Sequence, residues 1–378
     1  MGEVGMHQID GSAVRYTAAP RDLDELCELM ATAQQRELVV LPRGSGSKLS
    51  WLELPSVIDV VVDMSGFAGF RFDEDSAEVT VGAGLPVAVL QDELARSNAR
   101  VALDPPSPSA TVGGALVVGE AGPLAHVFGP PAAHVADATV VLPDGTLTRV
   151  GERVPLLGNS VCDLRWAYPG WPNAACAVVE ITMRTHSLPQ AQTWLTYPVS
   201  QPMHVGDLLE EIETANVASA AIELDLPGIR MGAVVPGQRH ATGALSILFE
   251  GSEASVLDRS RDLANRLGQR SHLTNQMPQW WGRYPFRPGE IAVRLNAPDG
   301  QLHLICYALA DAAGAPVPVR GSLGAGPAWA SLPGDIPARQ LVAILNALRD
   351  VMLARGGSAI VQAAPIQLRE VVAPYRRP

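Results

Sequence analysis

The stretch that most constrains this chain is Leu38–Lys48, LVVLPRGSGSK, where an apolar β-type run breaks into a loop of alternating glycine and serine. Glycine allows successive backbone N–H groups to turn toward one point. Such a nest suits a diphosphate, and Arg43 and Lys48 lie beside it. Gly/Ser turns after strands are also common structural connections. The loop alone therefore leaves two interpretations open, an anion site and a plain turn.

Composition narrows the classes of partner. The chain has 378 residues, a hydrophobic content of 47% and a charged content of 18%, which predicts a globular protein large enough for two domains. Its net charge of −11 argues against a nucleic-acid or anionic-membrane surface, since such surfaces need a clustered basic face. Lys48 is the only lysine, although coding bias toward arginine explains that equally well.

The N-terminal sequence MGEVGMHQIDGSAV has neither the basic nor the apolar region of a signal peptide, and no apolar run is long enough to span a membrane. We therefore expect a cytoplasmic protein. The four cysteines contain no CxxC pair, so we expect neither an iron–sulfur cluster nor a zinc site on this chain. They are Cys27, Cys162, Cys176 and Cys306.

The first half of the sequence predicts alternating helices and strands. Apolar residues at helical spacing predict helices over Pro20–Arg36 and Pro86–Ser97. The nearly continuous apolar run Val57–Met64 predicts a strand buried on both faces. Further strands are predicted at Val14–Thr17, Leu38–Leu41, Ala77–Val81, Ala138–Leu142, Thr146–Val150 and Ala177–Thr185. Two of these, Ala138–Leu142 and Thr146–Val150, read as a hairpin around Pro143-Asp144-Gly145.

A second glycine-rich stretch runs from Leu103 to Ala115, LDPPSPSATVGGA, and continues through Gly122-Pro123. It is too rich in proline and glycine to predict regular structure and too apolar for a solvated linker. We therefore expect it to wrap around a ligand.

Beyond a predicted boundary at Ser187–Gln190, the sequence favours an antiparallel sheet covered on one face by helices. The predicted helices are Asp207–Ala215, Ser252–Leu267 and Ile336–Arg355, the last with Asp335 as its N-cap. The predicted strands are Ala220–Leu224, Ala244–Phe249, Ile291–Leu295 and Leu302–Ala308.

Taken together and in this order, the motifs resemble the PCMH-type FAD-binding domain of the vanillyl-alcohol oxidase superfamily. The segments that carry the resemblance are PRGSGSK (42–48), VTVGAG (79–84), PPSPSATVGGA (105–115), VADATVVLPDG (135–145) and DL…VVEIT (163–182). Within the superfamily, the segments at 319–334 and 356–370 resemble the FAD-binding E subunit of bacterial glycolate oxidase. The implied fold is α+β, with a two-subdomain FAD-binding domain over 1–188 (1–72 and 73–188) and an α+β cap over 189–378 that carries an antiparallel sheet.

The resemblance also implies which residues hold FAD. Backbone N–H groups of the first loop would bind the pyrophosphate, the second stretch would meet the rest of the diphosphate and the ribityl chain, and the strand near Val178–Ile181 would run beside the flavin. The implied cofactor-binding residues are Pro42, Arg43, Gly44, Ser45, Gly46, Ser47, Lys48, Pro106, Ala110, Thr111, Gly113, Gly114, Asp163, Gly170, Val179 and Ile181.

The chain departs from the family pattern at two places. Relatives that attach the flavin covalently carry a histidine where this chain has Ser47, so we expect FAD to be bound non-covalently. Asn173 and Cys176 stand where the family has glycines, and the neighbouring Trp171-Pro172 is unusual. Side chains there could crowd the flavin or the adenine.

No catalytic residue is identified. His303, on a predicted strand, and Arg320, as a carboxylate-binding residue, are candidates that ordinary structural roles explain more readily. The aromatic patch QWWGRYPF, with Trp280, Trp281, Tyr284 and Phe286, fits a loop plug over the core as well as a partner contact.

Three function classes stay open. The first is an FAD-binding oxidoreductase subunit acting on the CH–OH group of a small 2-hydroxy acid, in complex with a catalytic flavoprotein subunit and an iron–sulfur subunit that receives the electrons. The second is a structural or assembly subunit whose flavin pocket has degenerated around Trp171, Asn173 and Cys176. The third is a stand-alone flavin-dependent sugar or aldonolactone oxidase.

Overall fold

The computed structural model describes residues 2–151, 176–228 and 243–376, and the chain divides into two compact units. The first unit comprises residues 1–121 and 130–188, and the second comprises residues 122–129 and 189–378. Helices and antiparallel sheets occur in both, which confirms the predicted α+β class. Within the described ranges, no helix combines the length and the apolar character needed to cross a membrane.

The first unit opens with a four-stranded sheet, and the Gly/Ser loop follows its edge strand β3. Its strands lie in the order β1-β2-β4-β3, with β2 and β3 parallel to β4. The central strand β4 is buried on both faces, as its apolar run predicts. The elements are β1 (Gly2–Ile9), β2 (Ser12–Ala18), helix α1 (Leu23–Gln35), β3 (Val40–Arg43), a 3-10 turn (Leu49–Trp51) and β4 (Val57–Asp63).

A five-stranded antiparallel sheet in the order β5-β6-β10-β8-β9 completes this unit, together with a short β7–β11 pair. The elements are β5 (Phe70–Asp73), β6 (Glu78–Gly82), α2 (Val87–Ala95), β7 (Ala99–Arg100), α3 (Val112–Val118), a 3-10 turn (Pro131–His134), β8 (Val135–Val141), β9 (Leu147–Gly151), β10 (Ala177–Arg184) and β11 (His186–Ser187). The predicted hairpin is present as β8–β9, where Gly145 takes a φ of +82° in the turn.

Helix α1 ties the two sheets of the first unit together. Its N-cap Asp22 accepts a hydrogen bond from the Glu25 N–H at 2.9 Å. The buried side chains of Leu26 and Met30 pack in one cluster with residues of β4, β8 and β10. The Gly/Ser loop therefore projects from a strand that is fixed by a well-packed core.

The second unit is built on one eight-stranded antiparallel sheet in the order β15-β12-β14-β13-β17-β18-β16-β19. Its strands are β12 (Ala191–Val199), β13 (Ala221–Pro227), β14 (Gly243–Gly251), β15 (His272–Thr274), β16 (Ile291–Asn296), β17 (Pro318–Ser322), β18 (Ala328–Leu332) and β19 (Ser358–Ala363). Its helices are α4 (Ala125–Phe128), α5 (His204–Ala215), α6 (Glu253–Leu267), α7 (Leu302–Ala313), α8 (Ala338–Ala354) and α9 (Arg369–Val372), with 3-10 turns at Ile366–Leu368 and Ala373–Tyr375.

Alternation along the strands gives this sheet two different faces. On β12, Leu195 and Tyr197 join the main core that α5, α6, α7 and α8 cover. Trp194, on the same strand, belongs to a separate cluster on the other face with Leu248 and Trp281. The predicted helical layer over one face is therefore present.

Three local predictions are wrong. Leu302–Ala308 was predicted as a strand but lies in helix α7, because Leu302, Ile305, Cys306 and Leu309 recur at helical spacing and are all buried. The second glycine-rich stretch was predicted to lack regular structure, yet it forms helix α3 once its prolines have ended. Asp335 does not cap α8, because that helix begins later, after the extended residue Pro337.

Candidate functional site

The Gly/Ser loop presents a row of backbone donors. It follows β3, turns at Gly46 with a φ of +80°, and is closed by a hydrogen bond from the Leu49 N–H to the Gly46 carbonyl at 3.3 Å. In the part of the chain that the structure describes, the N–H groups of Gly44, Ser45, Gly46 and Ser47 meet no acceptor. Unpaired backbone donors on one short loop are the geometry of an anion-binding nest.

The second glycine-rich stretch forms the wall opposite this loop. Thr111 caps helix α3, and its Oγ1 accepts a hydrogen bond from the Gly114 N–H at 3.3 Å. A Cβ on Gly44 would collide with the Thr111 side chain, and a Cβ on Gly113 would lie 2.6 Å from the Cβ of Ala83. Glycine at these two positions is therefore what allows the loops and β6 to approach one another.

Two adjoining cavities, each of about 80 Å³, lie between these walls and share Pro42, Arg43, Gly44, Thr111, Gly114 and Val117 in their lining. One extends over the Gly/Ser loop toward Leu49 and Leu52. The other extends toward Met64, Cys176 and Val178. We call the two together the loop cleft. One end is lined by backbone donors and the other by apolar side chains.

Arg43 brings a positive charge to both cavities. Its Nη2 lies 3.5 Å from a carboxylate oxygen of Asp63, at the limit of an ion pair, and the side chain is one-third exposed. Its Nε is buried and has no hydrogen-bond partner among the described residues. A buried guanidinium N–H without an acceptor is costly, so this atom is suited to meet a ligand oxygen.

Lys48, which the sequence places in the same nest, has its ammonium group engaged elsewhere. The Nζ atom lies 2.9 Å from Oε1 of Glu120, and both side chains are nearly inaccessible. Burial lowers the pKa of Lys48, and the neighbouring Glu120 carboxylate opposes that shift. Lys48 still lines the cleft as a residue.

The structure brings together ten of the residues expected to bind the cofactor. They are Pro42, Arg43, Gly44, Ser45, Gly46, Ser47, Lys48, Thr111, Gly113 and Gly114. Four others do not line the loop cleft: Ala110 and Ile181 are buried in the core of the five-stranded sheet, Val179 packs against α1, and Pro106 is half-buried outside the cavities. Asp163 and Gly170, like Trp171 and Asn173, lie outside the described residues.

Sequence reasoning missed several residues of the apolar wall, chiefly Met64, Ala83 and Val117. It also chose Val179 on β10, where Val178 lines the cleft. The resemblance implied Val179, and the register of β10 against β8 shifts between Val178 and Glu180 in this same segment. Cys176 does line the cavity, at the position where the family pattern has glycine.

In the second unit, His303 packs between helices and Arg320 is hydrogen-bonded within the protein. His303 is on helix α7 rather than on a strand, is 8% exposed, and packs beside Gly206 of α5. Burial lowers its pKa, which favours the neutral imidazole. Arg320 Nε donates to Asp225 at 2.7 Å and its Nη1 to the carbonyls of Arg283 and Tyr284.

The aromatic patch packs on the sheet of the second unit. Trp281 is buried and meets Trp194 edge-on at 6.2 Å, while Tyr284 and Phe286 stack at 4.6 Å beside Trp329. These contacts fit the loop plug, one of the two interpretations that the sequence left open.

Comparison with known proteins bears on the same region. Residues 14–151 match the family model for the FAD binding domain. The chain is 29% identical over 183 residues to the mitochondrial D-lactate dehydrogenase [cytochrome] 1 of Saccharomyces cerevisiae, covering 47% of this chain and 31% of that protein. It is 22% identical over 251 residues to a D-lactate dehydrogenase of Archaeoglobus fulgidus, covering 66% and 56%. The matches thus cover 31% and 56% of the length of these relatives.

Solved structures share the fold over nearly the whole chain. An alkyldihydroxyacetonephosphate synthase superposes with a TM-score of 0.68 at 16% identity, covering 95% of this chain and 75% of that one. A BBE-like protein of Physcomitrella patens superposes with a TM-score of 0.63 at 15% identity, covering 90% and 80%. Residues 14–151 therefore match an FAD binding domain, as the ordered motifs predict, and the chain shares the fold of these solved structures.

Proposed function

We propose that this chain binds FAD non-covalently in the loop cleft and is an FAD-dependent oxidoreductase subunit that acts on 2-hydroxy acids. The observation that carries the proposal is the set of four backbone N–H groups on residues 44–47 that have no acceptor in the described ranges, beside the buried, unpartnered Nε of Arg43. A diphosphate offers the oxygens that these donors lack. The donors present therefore fit the cofactor that the family model implies.

Different residues of the chain would bind the diphosphate and form the apolar wall. The backbone of Gly44–Ser47 would hold the diphosphate, and Arg43 would offset its charge. Met64, Val117 and Val178 would give an apolar wall that excludes water. Bound FAD would supply the hydride-accepting chemistry that no side chain can provide.

Two similarities support the substrate class. The relatives from S. cerevisiae and A. fulgidus are named D-lactate dehydrogenases, and lactate is a 2-hydroxy acid. The resemblance to the glycolate oxidase E subunit concerns glycolate, which belongs to the same class. As part of the proposal, the chain works in a complex with a catalytic flavoprotein subunit and passes electrons to an iron–sulfur subunit.

A second candidate function, that of a flavin-fold subunit without catalysis of its own, has one observation in its favour. The described lining of the loop cleft holds neither a carboxylate nor an imidazole that could remove a hydroxyl proton. The Arg43 guanidinium offers only N–H donors, and Lys48 is paired with Glu120. A base would have to come from elsewhere in the chain or from a partner.

Absorbance separates the two candidates. The full chain, purified under native conditions, should show flavin bands or acquire them when FAD is added. Anaerobic addition of glycolate or D-lactate should then bleach the bands, in the chain alone or with its co-purified partners. Protein that shows no flavin bands after incubation with FAD and removal of the unbound FAD contradicts the proposal. Flavin that binds but is not bleached, in the presence of all co-purified subunits, supports the second candidate.

Co-purification tests the partners separately. A tagged full chain should bring down a flavoprotein and a cysteine-rich subunit whose iron can be measured. Recovery of an active flavoprotein without any partner would overturn the complex while leaving FAD binding intact.

A further inference from the structure

The chain's single lysine lies in a buried polar cluster rather than in the open nest. Lys48 Nζ is 2.9 Å from Glu120 Oε1, with side-chain exposures of 9% and 0%. The same Oε1 accepts a hydrogen bond from the Ser107 N–H at 3.0 Å, and the ammonium group donates to the Ser107 hydroxyl. The Lys48 ammonium also lies 4.5 Å from the centroid of the Trp51 ring.

These residues come from three places that shape the cleft. Lys48 ends the Gly/Ser loop, and Ser107 lies in the proline-rich run that leads to Thr111. Glu120 follows Gly119, the left-handed C-cap of α3, and its own N–H donates to the Ala115 carbonyl at 2.8 Å. One carboxylate oxygen therefore joins the first loop to both ends of the second wall.

We propose that Lys48 and Glu120 form a latch that positions the two walls of the loop cleft, and that Lys48 does not contact the FAD diphosphate. This inference rests on the proposed function for its ligand, and it makes Lys48 and Glu120 positioning residues. A buried carboxylate that already neutralises the ammonium leaves it little charge to offer a second anion. The four N–H groups of residues 44–47 and Arg43 remain as the diphosphate donors.

The alternative is a lysine that binds the diphosphate directly. For one variant, the two interpretations predict opposite changes in FAD affinity. Glu120→Gln would release the ammonium from its carboxylate, so a lysine that contacts FAD would bind it more tightly. If the pair is a latch, the same variant loosens the walls and FAD binds more weakly. Lys48→Met weakens binding under both interpretations and cannot separate them alone.

The experiment measures the FAD dissociation constant of the full chain by flavin fluorescence. For Lys48→Met and for Glu120→Gln we expect at least tenfold weaker binding. For the double variant we expect an affinity within about threefold of the weaker single variant, because the two residues act as one unit. Glu93→Gln, which removes an exposed ion pair with Arg96 on the same unit, is the matched control and should bind as wild type. Circular dichroism confirms that each variant is folded.

A second measurement needs no FAD. Because Lys48 is the only lysine, an N-hydroxysuccinimide acetate reagent reports on this one side chain when the peptides are read by mass spectrometry. The latch predicts that Lys48 in the apo wild type is acetylated at least tenfold more slowly than in Glu120→Gln.

The outcomes are distinguishable. Tighter FAD binding by Glu120→Gln, unchanged binding by both single variants, or equal acetylation rates in wild type and Glu120→Gln would overturn the latch. Wild type that binds no FAD at any concentration would refute the proposed function, while the acetylation rates would still decide whether the latch exists.

Discussion

At the scale of single residues, Gly44 is where the two walls come closest. A Cβ at this position would overlap Oγ1 of Thr111, and the Cγ2 of Thr111 lies only 3.0 Å away. Thr111 is 5% exposed and caps α3, so it has little freedom to withdraw. We therefore expect Gly44→Ala to displace the loop and to weaken FAD binding about 10- to 100-fold, measured by titration with fluorescence detection.

Gly69→Ala is the control for this prediction. A Cβ at Gly69 would meet nothing within 4 Å, and the residue precedes β5 in the same unit. It should bind FAD like wild type and unfold at a similar temperature. Equal FAD affinity in Gly44→Ala and Gly69→Ala would show that the close approach of Gly44 and Thr111 does not shape the site.

At this scale the sequence could predict the residues of local motifs but not the contacts between residues that are distant in sequence. The Gly/Ser loop was predicted from its own glycines, whereas Thr111, Gly113 and Gly114 were implied by the resemblance of the second glycine-rich stretch to the family. The partner of Lys48 was not, because Glu120 is distant in sequence and has no motif of its own. Val178 lies in the strand segment that the resemblance placed beside the flavin, but which of its residues faces the cleft depends on a register shift against β8.

At the scale of elements, helix α7 shows that a short apolar run is compatible with either a strand or a helix. The segment LHLICYA is a short and mostly apolar run, which predicted a strand, yet it continues as LADAA. Extended over the full helix, Leu302, Ile305 and Leu309 are fully buried at helical spacing. Helices α1, α6 and α8 were predicted because their apolar stripes extend over several turns, whereas the nine-residue strand β12 was not predicted.

The placement of α7 in the core gives a prediction about pH. Burial raises the pKa of the Cys306 thiol to about 12, from an ordinary value of 9.0. Between these values the unfolded chain loses this proton while the folded chain keeps it. The free energy of unfolding should therefore fall as pH rises above 9, by up to about 1.4 kcal/mol per pH unit from this thiol. Below pH 9 its contribution is fully present.

Urea unfolding at pH 8, 9 and 10 measures this slope. Other groups titrate in the same range, so the informative quantity is the difference between wild type and Cys306→Ala. The variant loses a packed side chain and is less stable at every pH, but its stability should depend less steeply on pH. Parallel curves would show that the thiol ionises equally readily in the folded chain.

At the scale of the whole molecule, the course of the chain between the units is the feature that local patterns did not show. The sequence predicts a division near residue 188, whereas residues 122–129 group with the second unit although both flanking segments belong to the first. Leu124 packs against the cluster that contains Trp194 and Trp281, and a Cβ on Gly324 would collide with His126. A segment of eight residues without hydrophobic periodicity does not indicate in its sequence which unit it packs with.

The packing of this segment predicts that Leu124 stabilises the second unit despite its position in the first half of the sequence. Leu124→Ala should lower the free energy of unfolding by about 1–2 kcal/mol, less than the 2–5 kcal/mol typical of a fully buried leucine because Leu124 is only half-buried. Val127→Ala, on the short helix α4 that Leu124 precedes, is 54% exposed and should change it by less than about 0.5 kcal/mol. Hydrogen exchange in Leu124→Ala should quicken in β13 and β14, the strands that carry Ala221 and Leu248 of the tryptophan cluster. Equal stability of the two variants, or faster exchange confined to the first unit, would mean that residues 122–129 contribute nothing to the second core.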